Sequence, residues 1–352
     1  MPTISIDTFF ACTLMVSVVA ISTALLAQTL NAHVNSLQNL NENEYFRAVS
    51  ENILLSCGTP RDWGSQITSV PEALGLANSD SLCPYELDID KVSRLNSQSA
   101  FALPYPKILD ATNLNDEAFG ISVSQLLDIS TVLVSNSTSI DSTTYTFKIS
   151  ASQDGAPVAT SLHCYTIARD FLCDSYNETS TTGASYVRVE IPNASNGTAA
   201  FVIFARASHD PRITVYEVYS FGHLSTEPLL PNSTFLRLSP LNNTLSLSSD
   251  YPNETLGNCY ALSYAYHSDL ASTPNATYTI PEVLDQGPKV LIVSGSNAST
   301  PFVEWTAYPQ VPFETGASFA NSECYAFSYV VTIKNTLYEL TMRFGGLDHW
   351  NS

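Results

Sequence analysis

Histidine is the side chain best suited to moving protons near neutral pH, and the six in this chain stand at 33, 163, 209, 223, 267 and 349. None falls in an H-E-x-x-H or other metal-binding spacing. There is no G-x-S-x-G nucleophile elbow, no phosphate-binding glycine loop and no G-x-G-x-x-G. Ser208-His209-Asp210 holds the three residue types of a hydrolytic triad. Triad members converge from separate elements, however, and adjacent residues cannot relay a proton that way. The tripeptide reads as a turn between strands. Glu86, Asp88 and Asp90 alternate as calcium ligands sometimes do, but the EF-hand glycine is missing, and the three read as the solvated, acidic start of a helix. Trp305, Tyr308, Tyr325 and Tyr329 could line a sugar platform, although strands bury such residues routinely. The expectation is no catalytic residue, no metal, no cofactor and no enzyme.

The remaining chemistry is that of an exported chain. Nine N-x-[ST] sequons stand at Asn136, Asn177, Asn193, Asn196, Asn232, Asn242, Asn253, Asn275 and Asn297, none before residue 130, as candidate glycosylation sites. Of seven cysteines, Cys12 lies in an apolar N-terminal stretch. The other six, Cys57, Cys83, Cys164, Cys173, Cys259 and Cys324, allow fifteen connectivities. Sequential pairing, Cys57 with Cys83, Cys164 with Cys173 and Cys259 with Cys324, closes each bridge within one region of the chain. Free buried thiols are the alternative.

The elements that must carry these residues follow from the apolar pattern. The chain has 352 residues, 44% hydrophobic and only 13% charged, with 14 basic against 33 acidic side chains and a net charge of −19. That balance argues against nucleic acid as a partner. From Thr8 to Asn41 there is no charged residue, and TFFACTLMVSVVAISTALLA, residues 8–27, has the length of a transmembrane helix. A cleaved signal peptide would want a basic start, which MPTISID lacks. Leu30, Val34, Leu37, Leu40, Phe46, Val49, Ile53 and Leu54 continue at helical spacing as an amphipathic stalk. The stretch LLSCGTPRDWG then stops the helix. Gly58 suits a left-handed position, Pro60 cannot continue, and Trp63 can pin the exit, so these three are expected to fix the angle between stalk and head.

Beyond the stop, PEALGLA, YELDIDKVSRLN and YPKILDATNL suggest short helices, and from about residue 119 strand-like alternation recurs at the spacing of a β-sandwich. An internal repeat runs through this region. Ile191-Pro192, Phe201 to Phe204 and Val215 to Tyr219 resemble Ile280-Pro281, Val290 to Val293 and Phe302 to Trp305, each shifted by about 89 residues, while Cys164-Tyr165 and Cys259-Tyr260 are shifted by 95. Residues 228–244, rich in Pro and Asn, read as a linker. The expected fold is α+β: a transmembrane helix and stalk at 1–57, a small α/β collar at 58–118, and Ig-like β-sandwiches at 119–228 and 229–352.

Four pieces taken in order carry a family resemblance: Asp7 opening the helix, with LLSCGTPRDWG at its end; ALGLA at 73–77; LDIDKVSRL at 87–95; and Tyr105 with KILDATNL. In these, residues 1–122 resemble archaeal membrane-anchored surface proteins related to type IV pilins and pseudopilins. The resemblance implies a structural or interaction role. In such proteins the acidic residue can neutralise a neighbouring subunit's N-terminus, although Asp7 also complements a helix dipole. The expected protein is a single-pass, glycosylated chain of the cell membrane with its C-terminal region extracellular. Its expected partners are the membrane, copies of itself or other surface proteins; an adhesin or a solute- or glycan-binding ectodomain is the alternative.

Overall fold

The run AAFVIFA at 199–205 has no polar face, and the strand that contains it is buried on both sides. This is the key to the architecture. In the computed structural model the described residues are 6–114, 117–225, 228–249, 251, 254–271, 277–282, 286–298, 300–319 and 324–345, with side chains in the long helix described at 13–26, at 28 and from 41 onward. Two units divide the chain, residues 1–51 and 52–352.

The first unit is most of helix α1, Ile6–Leu55. The expected transmembrane span is corrected here: among the described residues, no helix is long and apolar enough to cross a membrane. The single-pass membrane address, with its extracellular C-terminal region, rested on that span and is corrected with it. The fold is β-rich.

The second unit contains two β-sandwiches of the same topology. In the first, β3 (Asp128–Thr138), β4 (Ser142–Gln153) and β8 (Ala184–Pro192) form one sheet, with the two-residue β5 (Ala156–Pro157) beside β4. The facing sheet has the order β10-β9-β6-β7, from β6 (Thr160–Ala168), β7 (Phe171–Glu178), β9 (Gly197–Ala207) and β10 (Thr214–His223). In the second, β11 (Arg237–Leu241), β12 (Thr244–Ser248) and β15 (Thr277–Thr279) repeat the three-stranded sheet. The four-stranded one recurs as β17-β16-β13-β14, from β13 (Glu254–Leu262), β14 (His267–Asp269), β16 (Lys289–Asn297) and β17 (Thr300–Tyr308). Three strands against four is an Ig-like arrangement with one edge strand moved between sheets.

Register aligns the repeats residue by residue. Cys164 pairs with Ile203 and Tyr165 with Val202, as Cys259 pairs with Val293 and Tyr260 with Ile292. The two four-stranded sheets then pack on each other. Tyr165, Ile167, Ala200, Val202 and Tyr216 of the first meet Tyr260, Leu262, Val290, Ile292 and Val303 of the second in one apolar core. These are equivalent positions, so the contact is isologous, an internal counterpart of a two-fold dimer. Along β9 the side chains alternate between two cores: Ala199, Phe201, Ile203 and Ala205 face β4 and β8, while Ala200, Val202 and Phe204 face the second sandwich. A strand covered on both faces needs a continuous apolar run, which explains residues 199–205 and VLIV at 290–293.

The third sheet closes the unit. Its order is β1-β19-β20-β2-β18, from β1 (Glu86–Leu87), β2 (Ala118–Gln125), β18 (Phe313–Gly316), β19 (Tyr325–Ile333) and β20 (Thr336–Gly345). It joins residues before the first sandwich to residues after the second, with helices α2 (Ile89–Leu95) and α3 (Tyr105–Thr112) nearby in sequence. PEALGLA, expected to be helical, is extended. Ala73 bridges Thr59 and Ala77 bridges Leu87, and Gly75 lies where a Cβ would meet the Gly58 nitrogen at 2.2 Å.

Because the sandwiches share one core, they should melt together. Ile292→Ala, at a fully buried position, should cost about 2–5 kcal/mol and shift a single urea transition followed by circular dichroism. Two separate transitions, with only one of them moved, would contradict the shared core.

Candidate functional site

The predicted site residues do not converge. Among the sequons, Asn136, Asn196, Asn232 and Asn242 are exposed, Asn177, Asn193 and Asn297 are half-buried, and Asn253 and Asn275 lie outside the described residues. Three are spent on the fold: the Asn177 amide donates to the Tyr186 carbonyl at 3.2 Å. The Asn193 amide donates to the carbonyls of Ser139 and Ile140, both at 3.0 Å, and that of Asn232 donates to the Trp305 carbonyl at 2.9 Å while its oxygen accepts from the Trp305 N–H. A glycan on any of these nitrogens would replace one of its two N–H donors, which at Asn193 are both in use.

The expected disulfides are corrected: Cys57, Cys83, Cys164, Cys173, Cys259 and Cys324 are all free thiols. For Cys164 and Cys173 the reason is register. The β6–β7 hairpin does turn back, but Cys164 lies opposite Ser175 and Cys173 opposite Thr166. The two are therefore diagonal neighbours, about 7–8 Å apart at Cα, beyond the usual disulfide span. Burial pushes the thiols of Cys164 and Cys259 up to about 12, which leaves both protonated and unreactive at neutral pH. Of Cys12 and Asp7, the side chains lie outside the described residues.

The other sequence candidates are also structural. Ser208-His209-Asp210 lies in the β9–β10 connection, where the Arg212 guanidinium, 2.8 Å away, holds the Asp210 carboxyl down to about 2. Tyr308 is buried, and Trp305 stands on a different sheet from Tyr325 and Tyr329, so the four make no common platform. Glu86 accepts from Asn78 and Ser81, and Asp88 caps α2 by accepting the N–H groups of Asp90 and Lys91 at 2.9 and 3.0 Å. Asp90 is not solvated as expected. It is buried, with Oδ1 accepting from the Tyr308 hydroxyl at 2.8 Å and the Asn242 N–H at 2.9 Å, and burial raises its carboxyl above the usual range.

What the structure does bring together, around α2, is the part of the four-piece signature from residue 54 onward. The helix is short and buried at every position. Lys91 Nζ donates to the carbonyls of Cys57 and Ala77, both at 2.9 Å. Arg94 places its five N–H donors on the carbonyls of Trp63, Gln66, Ile67, Ser69 and Phe101, with its guanidinium 5.7 Å from the Trp63 ring. Trp63 is wholly buried and donates from Nε1 to the Gly75 carbonyl at 3.1 Å. Gly58 has φ +73, and a Cβ there would meet the Ala73 oxygen at 2.6 Å, so this position needs glycine. Tyr105 belongs to the same assembly, its hydroxyl donating to the Phe119 carbonyl at 2.9 Å.

Sequence reasoning missed the two ends of the seam between the sandwiches. At one end, the turn at 263–266 of the second sandwich covers the first. Tyr264 lies 3.8 Å over Arg206, and its carbonyl is 2.7 Å from Nδ1 of His163, whose Nε2 is 3.1 Å from Asp174. Tyr176 stacks on His163 at 3.8 Å. At the other end, the β6–β7 turn of the first sandwich, with Arg169 and Asp170, stands over Thr255, Leu256, Gly257, Ser294 and Ser296. Here lies a cavity of about 570 Å³. The matching pieces SLHCY at 161–165 and TLGNCY at 255–260 were the available signal.

Comparison with known proteins adds no family. No family description matches the chain, and no curated protein does. Among solved structures, HBP35 of Porphyromonas gingivalis aligns over 53% of this chain and 64% of its own, at 11% identity and a TM-score of 0.20. Human GIVD cytosolic phospholipase A2 aligns over 66% and 33%, at 9% and 0.13. The chain spans less than two thirds of either, and similarity at this level carries no argument about fold or activity.

The Asp90 site distinguishes an acceptor from a charge. Asp90→Asn keeps an oxygen for Tyr308 and Asn242 and should change stability little, whereas Asp90→Ala strands both donors and should cost about 1–3 kcal/mol for each group left unpaired. Urea denaturation of both variants checks this, and equal losses would refute it. Thiol labelling tests the cysteines: Cys83 should react first in the native chain, and Cys164 and Cys259 only after denaturation. Protection of all three until a reductant is added would restore the disulfides.

Proposed function

We propose that the chain is a non-enzymatic protein with a structural or interaction role, of the pilin-related kind that its first 122 residues resemble. The observation that carries this reading is the fate of its buried ionisable groups. Asp90, Lys91 and Arg94 are spent on main-chain groups and one tyrosine. Glu304 accepts the N–H groups of Ser233 and Phe235, pinning the segment that reads as a linker. His223 is held neutral by burial, with Nδ1 facing the Tyr145 hydroxyl and Nε2 the Pro192 carbonyl, each at 3.0 Å. Catalysis needs perturbed groups that converge on a cleft beside a nucleophile; these are dispersed and act as fasteners. Two sandwiches sharing one core make a stiff block suited to presenting surface. The seam cavity favours a second reading, in which part of that surface takes a solute.

Sedimentation velocity over a hundredfold concentration range, with negative-stain microscopy, should reveal concentration-dependent association, and panels of ester, peptide and glycoside substrates should show no turnover. Turnover that disappears when a single described side chain is replaced would overturn the reading.

A further inference from the structure

The two ends of the seam occupy equivalent places about the internal two-fold, yet their side chains differ in size. Register sets the equivalences. Leu162 pairs with Ala205 and Ser161 with Arg206, as Leu256 pairs with Gly295 and Thr255 with Ser296. Phe204 therefore corresponds to Ser294, Arg206 to Ser296, and Tyr264 of the covering turn to Arg169. His163 corresponds to the pair Gly257-Asn258, where β13 carries an irregularity that β6 lacks. At the first end His163, Phe204 and Arg206 fill the floor, leaving a more open cleft of about 450 Å³ rimmed by Ser161, Tyr176, Glu178 and Tyr264. At the second end the same floor is glycine, asparagine and serine, and it opens.

We propose that this second end is a binding site for a neutral saccharide; the proposal deepens the solute-binding form of the function proposed above. Shape and chemistry agree. Gly295 cannot become larger, since a Cβ would meet Phe302 at 2.6 Å and the Thr255 oxygen at 2.8 Å, and a Cβ on Gly197 would meet Pro301 at 2.8 Å, so the backbone itself forms the wall. Around it stand the hydroxyls of Thr255 and Ser296, the amide of Asn196 and the side chains of Arg169 and Asp170, with Leu224, Leu256 and Pro301 between them. Arg169 and Asp170 lie 3.8 Å apart and cancel in charge, which disfavours an anion and suits a ligand rich in hydroxyl groups. The apolar side chains suit the C–H faces of a sugar ring. A few placed polar groups within a concave, partly apolar wall is the usual composition of a small-ligand site.

The test uses the full chain with maltotetraose, cellotetraose and mannotetraose as probes, read by saturation-transfer NMR and by hydrogen exchange. At least one probe should bind and slow exchange at 255–257 and 294–296. Ser296→Arg, which installs the residue found at the other end, should weaken binding at least tenfold with an unchanged melting temperature. Should that variant fold poorly, Arg169→Ala, at an exposed position, should weaken binding by a similar factor. Tyr176→Ala, at the opposite end of the seam, should leave it unchanged. The site is overturned if none of the three probes binds, if protection falls around Tyr264 instead, if the folded Ser296→Arg variant binds as the wild type does, or if inorganic phosphate displaces the saccharide. Loss of the site with self-association intact leaves the structural role standing, whereas substrate turnover would remove that role and leave the binding data to be read separately.

Discussion

Lys91, Arg94 and Asp90 leave water together on one helix of seven residues, and most of the order in residues 53–114 answers that cost. A buried charge without hydrogen bonds is very expensive. Each of these side chains is therefore surrounded by groups that cannot rearrange freely. Arg94 gathers five carbonyls from the loops on either side of it, and Lys91 ties the end of the helical segment to the extended stretch at 73–77. Asp90 reaches the second sandwich through Tyr308 and Asn242. The same helix bonds to Gln310 through Ser93 and Asn96 and to Thr315 through Leu95.

The second organising fact is that the sandwiches meet by equivalent faces. An isologous contact lets one sequence pattern, repeated, supply both sides of an interface. It also explains why the central strands β9 and β16 carry apolar runs without a polar face. The two sandwiches differ at the ends of the seam. One end has aromatic and charged filling, with His163 bonded to both Asp174 and the opposite turn; the other has small side chains and a cavity.

Composition, the internal repeat, the stop at Cys57-Gly58-Thr59-Pro60 and most strand segments were legible in the sequence, because they rest on local periodicity and on residues with narrow conformational preferences. The repeat at 191–219 and 280–305 located equivalent strands but one residue out of step: the sequence sets Phe201 to Phe204 against Val290 to Val293, whereas pairing with Cys164 and Cys259 sets Ile203 against Val293. The signature pieces at 54–64, 73–77 and 87–95 could be recognised as belonging together, but nothing local told that Asp90, Lys91 and Arg94 point inward. Asp90, with Glu86 and Asp88, reads as the solvated, acidic start of a helix.

What only the tertiary structure decided depends on register and on contacts distant in sequence. Cys164 and Cys173 are close enough along the chain to pair, and a two-residue offset across the hairpin keeps them apart. PEALGLA has a helical pattern, and pairing of Ala73 with Thr59 and of Ala77 with Leu87 makes it extended. The long uncharged N-terminus reads as a span from hydropathy alone, whereas among the described residues no helix is long and apolar enough to cross a membrane. The cavity is the clearest case. Ser294, Ser296, Gly257 and Gly295 are ordinary residues in a strand sequence, and they line a cavity only because the two-fold packing sets them beneath Arg169. Local chemistry could specify the strands. The space between them was set by how two copies of one pattern came to face each other.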